Sequence, residues 1–102
     1  MKFKDPTKRS REAASLGHTV AAMMGNSVYA YIAVPNGKGW GLAITVEGDH
    51  GHRLLNGGFQ FDKRDEADYF ARGMNAHIGL TPVRAIEIIA SSVHKQVPAQ
   101  AG

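Results

Sequence analysis

The sequence predicts an α+β domain: a small antiparallel sheet of two to three strands with helices packed on one face, in the order α-β-β-β-α-α. Three observations carry this reading. Two apolar runs that alternate at the strand period flank Pro35-Asn36-Gly37-Lys38-Gly39, a turn-forming composition. A stripe at the helical period follows, from Ala67 to Ile78, and Gly79 closes it. Thr81-Pro82 then supplies the cap and first position of another helix. At 102 residues the chain is long enough for one core and too short for two.

In chain order, residues 1–11 read as a flexible basic arm, since Pro6 disfavours helix in the residue before it. A first helix is expected over about residues 7–24, capped by Thr7 or Ser10. Its apolar stripe is Ala13, Leu16, Val20 and Met24, and Gly25-Asn26 ends it. Gly17 and Thr19 weaken it through propensity.

The hairpin is expected over Val28 to Val46. Loop parity decides which side chains share a face. A two-residue Asn36-Gly37 turn puts Tyr29 and Tyr31 beside Leu42 and Ile44. An odd loop instead collects Val28, Ala30, Ile32 and Val34 with Trp40, Leu42, Ile44 and Val46. The odd loop is preferred because it makes one wholly apolar face, leaving Tyr29 and Tyr31 on the other. Residues 53–55 and 59–61 form a third strand, broken at Asn56-Gly57-Gly58.

Asp62 reads as the N-cap of the next helix, with Asp65, Glu66 and Asp68 suiting its positive end. Its stripe is Ala67, Phe70, Ala71, Met74 and Ile78, and Gly79-Leu80 fits a Schellman ending. In the last helix Ile86, Ile89, Ala90 and Val93 form the stripe, with Ile88 off its centre. Residues 12–96 are expected as one domain and residues 97–102 as a loose tail.

The formal net charge of +3 is concentrated at one end. Residues 1–12 hold Lys2, Lys4, Lys8, Arg9 and Arg11 against Asp5 and Glu12, five minus two, and the seven basic and seven acidic residues beyond cancel. Attraction to an acidic partner therefore starts at the N-terminal segment. The absence of cysteine excludes a disulfide framework, thiol catalysis and cysteine-ligated zinc. No apolar run approaches the roughly 20 residues of a membrane span, and the first residues lack a signal-peptide core. A cytoplasmic protein with no membrane partner is the expectation.

No catalytic residue is assigned. The acids from Asp62 to Asp68 are explained by helix-start electrostatics, and Ser91-Ser92 with His94 lacks an orienting acid and an oxyanion site. Gly37, Gly39 and Gly41 sit in a hairpin rather than ahead of a helix, so they form no phosphate loop. Asp49-His50-Gly51-His52 is the only ligand-like cluster, and a turn between strands accounts for it without a metal. No cofactor is expected. The binding candidates are Tyr29 and Tyr31, which anchor an interface or stack bases if exposed, and the cations Lys2, Lys4, Lys8, Arg9 and Arg11.

Residues 31–40 with Phe59-Gln60-Phe61-Asp62-Lys63-Arg64-Asp65-Glu66-Ala67 resemble a hairpin-then-helix pattern of short uncharacterised bacterial proteins carried on phages and plasmids. The same segment is similar to the arm-type DNA-binding domain of phage integrases, which implies a three-stranded sheet ahead of a helix. The helix-strands-helix order also resembles double-stranded RNA-binding domains, although Asp65-Glu66 stands where those carry lysines. In size and layout the chain is similar to phage-encoded inhibitors of bacterial defence complexes. The function expected is a non-enzymatic interaction module docking on a larger protein assembly. The alternative is DNA or RNA binding through the arm and the tyrosine face, and that face would also close a homodimer.

Overall fold

A computed structural model describes the backbone of residues 6–25, 28–48 and 51–101, and the side chains of residues 8–25, 28–48 and 51–92. The order is α1 (Pro6–Met23), β1 (Tyr29–Asn36), β2 (Gly39–Val46), β3 (Arg53–Leu54), β4 (Gln60–Phe61), α2 (Arg64–His77) and α3 (Pro82–Ala101). This is an α+β fold on a four-stranded antiparallel sheet. β3 and β4 both pair with β2 and act as the two halves of the broken third strand.

The hairpin turn is Gly37-Lys38, which pairs Asn36 with Gly39 and Pro35 with Trp40. Gly37 has φ 63° and among the described residues no non-glycine residue is left-handed, so a two-residue turn with glycine first is formed. Its parity is the one not preferred from sequence. Tyr29, Tyr31 and Ala33 lie opposite Val46, Ile44 and Leu42 on one face, with Ala30, Ile32, Val34, Ala43 and Thr45 on the other. The preference assumed that only one face is buried. Both are: every residue of Gly41–Val46 is buried, so an apolar side chain has a place on either side.

The helices accordingly do not share one face. α1 covers the tyrosine side, where the Tyr31 hydroxyl donates to the Ala13 carbonyl at 2.9 Å. α3 covers the opposite side: Ser92 Oγ and Thr45 Oγ1 both donate to the Gly51 carbonyl, at 3.2 and 3.0 Å. Alanines 30 and 43 on that side are fully buried, and their small size lets the helix lie close. α2 crosses from Trp40, beneath Arg64, past Phe59 and Phe61, which meet Phe70 edge-on, to the outer edge of β1.

At that edge Asn75 replaces a neighbouring strand. Its Oδ1 accepts from the Tyr31 amide at 2.6 Å and its Nδ2 donates to the Tyr31 carbonyl at 3.1 Å, with both residues buried. At Tyr31 the backbone groups that this edge strand would otherwise leave unpaired are both satisfied by one side-chain amide. The core gathers Tyr29, Tyr31, Leu42, Ile44, Val46, Leu55, Phe59, Ala71 and Met74 under Ala13 and Ala21 of α1. Gly17 is buried between them, and a Cβ there would overlap the Tyr31 hydroxyl and ring. The residue that weakens α1 by propensity is thus the one that admits Tyr31.

Helix boundaries depart from the sequence reading in three places. α1 already starts at Pro6, so residues 6–11 of the expected arm are helical, and Thr7 and Ser10 lie inside the helix rather than capping it. α2 is capped by Lys63, not Asp62: β4 runs to Phe61, and the extended backbone at Lys63 turns its carbonyl to the Ala67 amide without a side-chain cap. The helical backbone of α3 continues to Ala101, through the stretch expected as a tail. The other ends match expectation. Leu80 and Gly79 donate to the Asn75 and Ala76 carbonyls in a Schellman ending, and Thr81 Oγ1 accepts from the Arg84 amide at 3.1 Å.

Candidate functional site

Lys8, Arg11 and Ser15 stand three and four residues apart on α1, a spacing that lines them along one side of a helix. The Asn56-Gly57 bulge between β3 and β4 faces them across an open groove of about 560 Å³, whose walls also include Glu12 and Leu16. The bulge is there because β2 pairs with residues 53–54 and then 60–61, so the intervening residues leave the ladder and rise toward α1.

Arg9 fixes this arrangement. Its two terminal nitrogens donate to the Gly57 and Gly58 carbonyls at 3.3 and 3.0 Å, and its guanidinium lies 4.2 Å from the centre of the Phe59 ring. It also pairs with Glu12 at 3.3 Å. Arg9 is therefore a latch between α1 and the bulge, while Lys8 and Arg11 present exposed charge at the groove.

Electrostatics at this end of α1 run against helix preference. The first turn carries no acidic residue, and three cations fall at Lys8, Arg9 and Arg11, close to the positive end of the peptide dipoles. For Lys8, exposed in the first turn, the cost is about 0.3–1 kcal/mol at low salt, and it fades beyond that turn, where Arg11 lies. A negatively charged ligand in the groove would offset that cost.

The other candidates fare differently. Tyr29 and Tyr31 are 8% and 1% exposed, so neither stacks a base nor anchors a partner. The tyrosine face is a helix-packing face because the two-residue turn placed it with Leu42 and Ile44. Burial raises the Tyr31 hydroxyl pKa well above the ordinary tyrosine value, and neighbouring Tyr29 adds to the shift. Trp40 is half-buried, with the Arg64 guanidinium 5.5 Å from its ring centre. Lys2, Lys4, Asp49 and His50 lie outside the described residues, and His52 is exposed. Among the described residues no group of three or more histidine, aspartate or glutamate side chains is placed to hold a metal.

Ser15 and Asn56 were not candidates from sequence. The signal for Ser15 was its helical spacing from Lys8 and Arg11. Asn56 was legible only as part of a bulge, and nothing local says what a bulge faces.

No protein-family model matches the chain, nor does any curated protein or solved structure. No helix among the described residues is long and apolar enough to cross a membrane.

Proposed function

We propose that this chain is a non-enzymatic binding module that docks on a polyanionic partner, the phosphate backbone of a nucleic acid, through the groove between α1 and the Asn56-Gly57 bulge. The observation that carries this reading is the convergence of Lys8 and Arg11 on that groove, along the N-terminal half of α1. Residues 1–12, which include Lys8 and Arg11, carry the whole formal net charge of the chain. The cations favour phosphate, Ser15 and Asn56 add neutral hydrogen-bonding groups at the wall, and the Glu12 carboxylate there is taken up by Arg9.

Among the described residues the groove wall holds no aromatic ring, so the contacts it offers are to backbone rather than to bases. Weak sequence preference and strong salt dependence follow. A bacterial or mobile-element accessory protein, in the cytoplasm, is the setting this reading implies.

The test is fluorescence anisotropy with labelled DNA and RNA 20-mers across a salt series, comparing wild type with Lys8→Gln/Arg11→Gln. The double variant should bind more weakly, and the slope of log Kobs against log salt should flatten by about 1.4–1.8, two contacts at 0.7–0.9 each. Binding that is absent at low salt, or unchanged in the double variant, would overturn the assignment.

A further inference from the structure

Two asparagine-glycine pairs in this chain share one intrinsic chemistry and meet opposite surroundings. Glycine has no side chain, so its backbone nitrogen is the least hindered nucleophile that a preceding asparagine can meet. At Asn36-Gly37 the fold blocks the encounter. Asn36 stands in the ladder of β1 and β2 opposite Gly39, its Nδ2 donates to Gln60 Oε1 at 2.8 Å, and its carbonyl accepts from Gln60 Nε2 at 3.2 Å. At Asn56-Gly57 nothing holds the side chain back. Both residues are exposed and outside the ladder, and among the described residues neither the Asn56 side chain nor the Gly57 amide makes a hydrogen bond.

We propose that Asn56 is a site of self-modification, converting to aspartate or isoaspartate, and that this conversion lowers the affinity of the groove for polyanions. The Gly57 backbone nitrogen gives up its proton and attacks Asn56 Cγ. The bond from Cγ to Nδ2 breaks and ammonia leaves, which closes a cyclic imide. Water then opens the ring: cleavage at one carbonyl leaves aspartate, and cleavage at the other leaves isoaspartate with a longer backbone. Water in and ammonia out balance the step, and nothing is oxidised or reduced. The surroundings favour its start. Lys8 and Arg11 border the same groove, and Arg9 donates to the Gly57 carbonyl at 3.3 Å, so positive charge stands near the nitrogen as it loses its proton.

The consequence for binding rests on the polyanion reading, whereas the conversion itself does not. Either product replaces a neutral amide on the groove wall by a carboxylate and takes one unit from the formal net charge of +3. A like charge about 4–6 Å from a phosphate, in the dielectric of water, weakens binding about three- to sixfold at low salt. The groove thereby loses affinity as the chain ages, with no second protein needed.

The full chain, aged in warm, mildly alkaline buffer and then digested with trypsin, tests both parts by mass spectrometry and binding. Cleavage after Arg53 and Lys63 isolates residues 54–63, whose only asparagine is Asn56, from residues 12–38, which hold Asn36. In the folded protein Asn56 should gain the mass of an amide-to-acid change at least about fivefold faster than Asn36, which must first give up two hydrogen bonds. In urea the two rates should converge, because both pairs then lie in an open chain. By fluorescence anisotropy with a labelled DNA 20-mer at low salt, aged protein should bind about three- to sixfold more weakly than fresh. Asn56→Gln, whose longer side chain closes the ring far more slowly, should keep its own starting affinity over the same interval. Conversion of Asn56 no faster than that of Asn36 in the folded chain would overturn the site, and aged protein that is converted yet binds as tightly as fresh would overturn its consequence. Fresh protein that binds no DNA would refute the polyanion reading alone, while the masses would still decide the conversion.

Discussion

Replacing Asn75 by alanine tests how the edge of β1 is closed. The Asn75 side chain is 6% exposed and meets both backbone groups of Tyr31, at 2.6 and 3.1 Å, in a strand position where Tyr31 itself is 1% exposed. Truncation leaves a buried N–H and a buried carbonyl without partners, each costing about 1–3 kcal/mol, or about 2–6 kcal/mol together. A domain of this size has only about 5–15 kcal/mol of net stability, so the variant should be severely weakened. Urea denaturation followed by Trp40 fluorescence should show a lower midpoint with an unchanged slope, because the surface exposed on unfolding is nearly the same. A loss of 3 kcal/mol lowers the melting temperature by about 12–24 °C at 4–8 °C per kcal/mol. Ala76→Ser, at the exposed neighbouring position, should stay within about 0.5 kcal/mol of wild type. An Asn75→Ala loss below about 0.5 kcal/mol would show that the β1 edge is satisfied some other way and would refute the strand-mimic role.

Two further predictions concern Tyr31. Gly17→Ala should destabilise by about 1–2 kcal/mol although alanine is the better helix former, because overpacking against the Tyr31 ring outweighs the propensity gain. In a Tyr31→Phe background that cost should shrink by at least about 0.5 kcal/mol, and simple additivity would show that the two do not touch. Tyr31→Phe alone should cost about 0.5–1.5 kcal/mol at neutral pH, for the lost bond to the Ala13 carbonyl. Since burial holds the folded-state Tyr31 pKa above the ordinary value of 10.0, the native state keeps its proton where the unfolded chain releases it. Tyr31 therefore contributes stability that is intact below pH 10 and is lost as pH rises above it, so Tyr31→Phe should fall less steeply than wild type in alkaline melts. Parallel curves would refute this.

Local signals in the sequence were sufficient wherever the deciding interaction is itself local. Gly79-Leu80 and Thr81-Pro82 specify a helix end and a helix start within a few residues, and both formed as the residues required. The alternating runs on either side of Gly37 were enough for a hairpin, and Asn56-Gly57-Gly58 for the break in the third strand. The concentration of net charge near α1 is likewise a property of composition.

What only the tertiary structure decided is which surface each pattern meets. Alternation distinguishes two faces of a strand but not which is buried, and here α1 and α3 bury both, so Tyr29 and Tyr31 became core instead of a platform. On α3 the strongest apolar spacing, with Ile86 and Ala90, points away from the sheet, while Ile88 and small Ser92 face it, because Gly51 and Thr45 lie beneath them. Asn75 carries no periodic signal at all, yet it closes the β1 edge from 44 residues away. The groove is of the same kind: Lys8 and Arg11 were legible as charge, but Arg9 had to clamp a bulge some 48 residues distant before that charge bordered a concave surface. Periodicity records that a side chain needs burial or water, whereas the identity of its neighbour depends on contacts between residues far apart in the chain, which only the folded arrangement brings together.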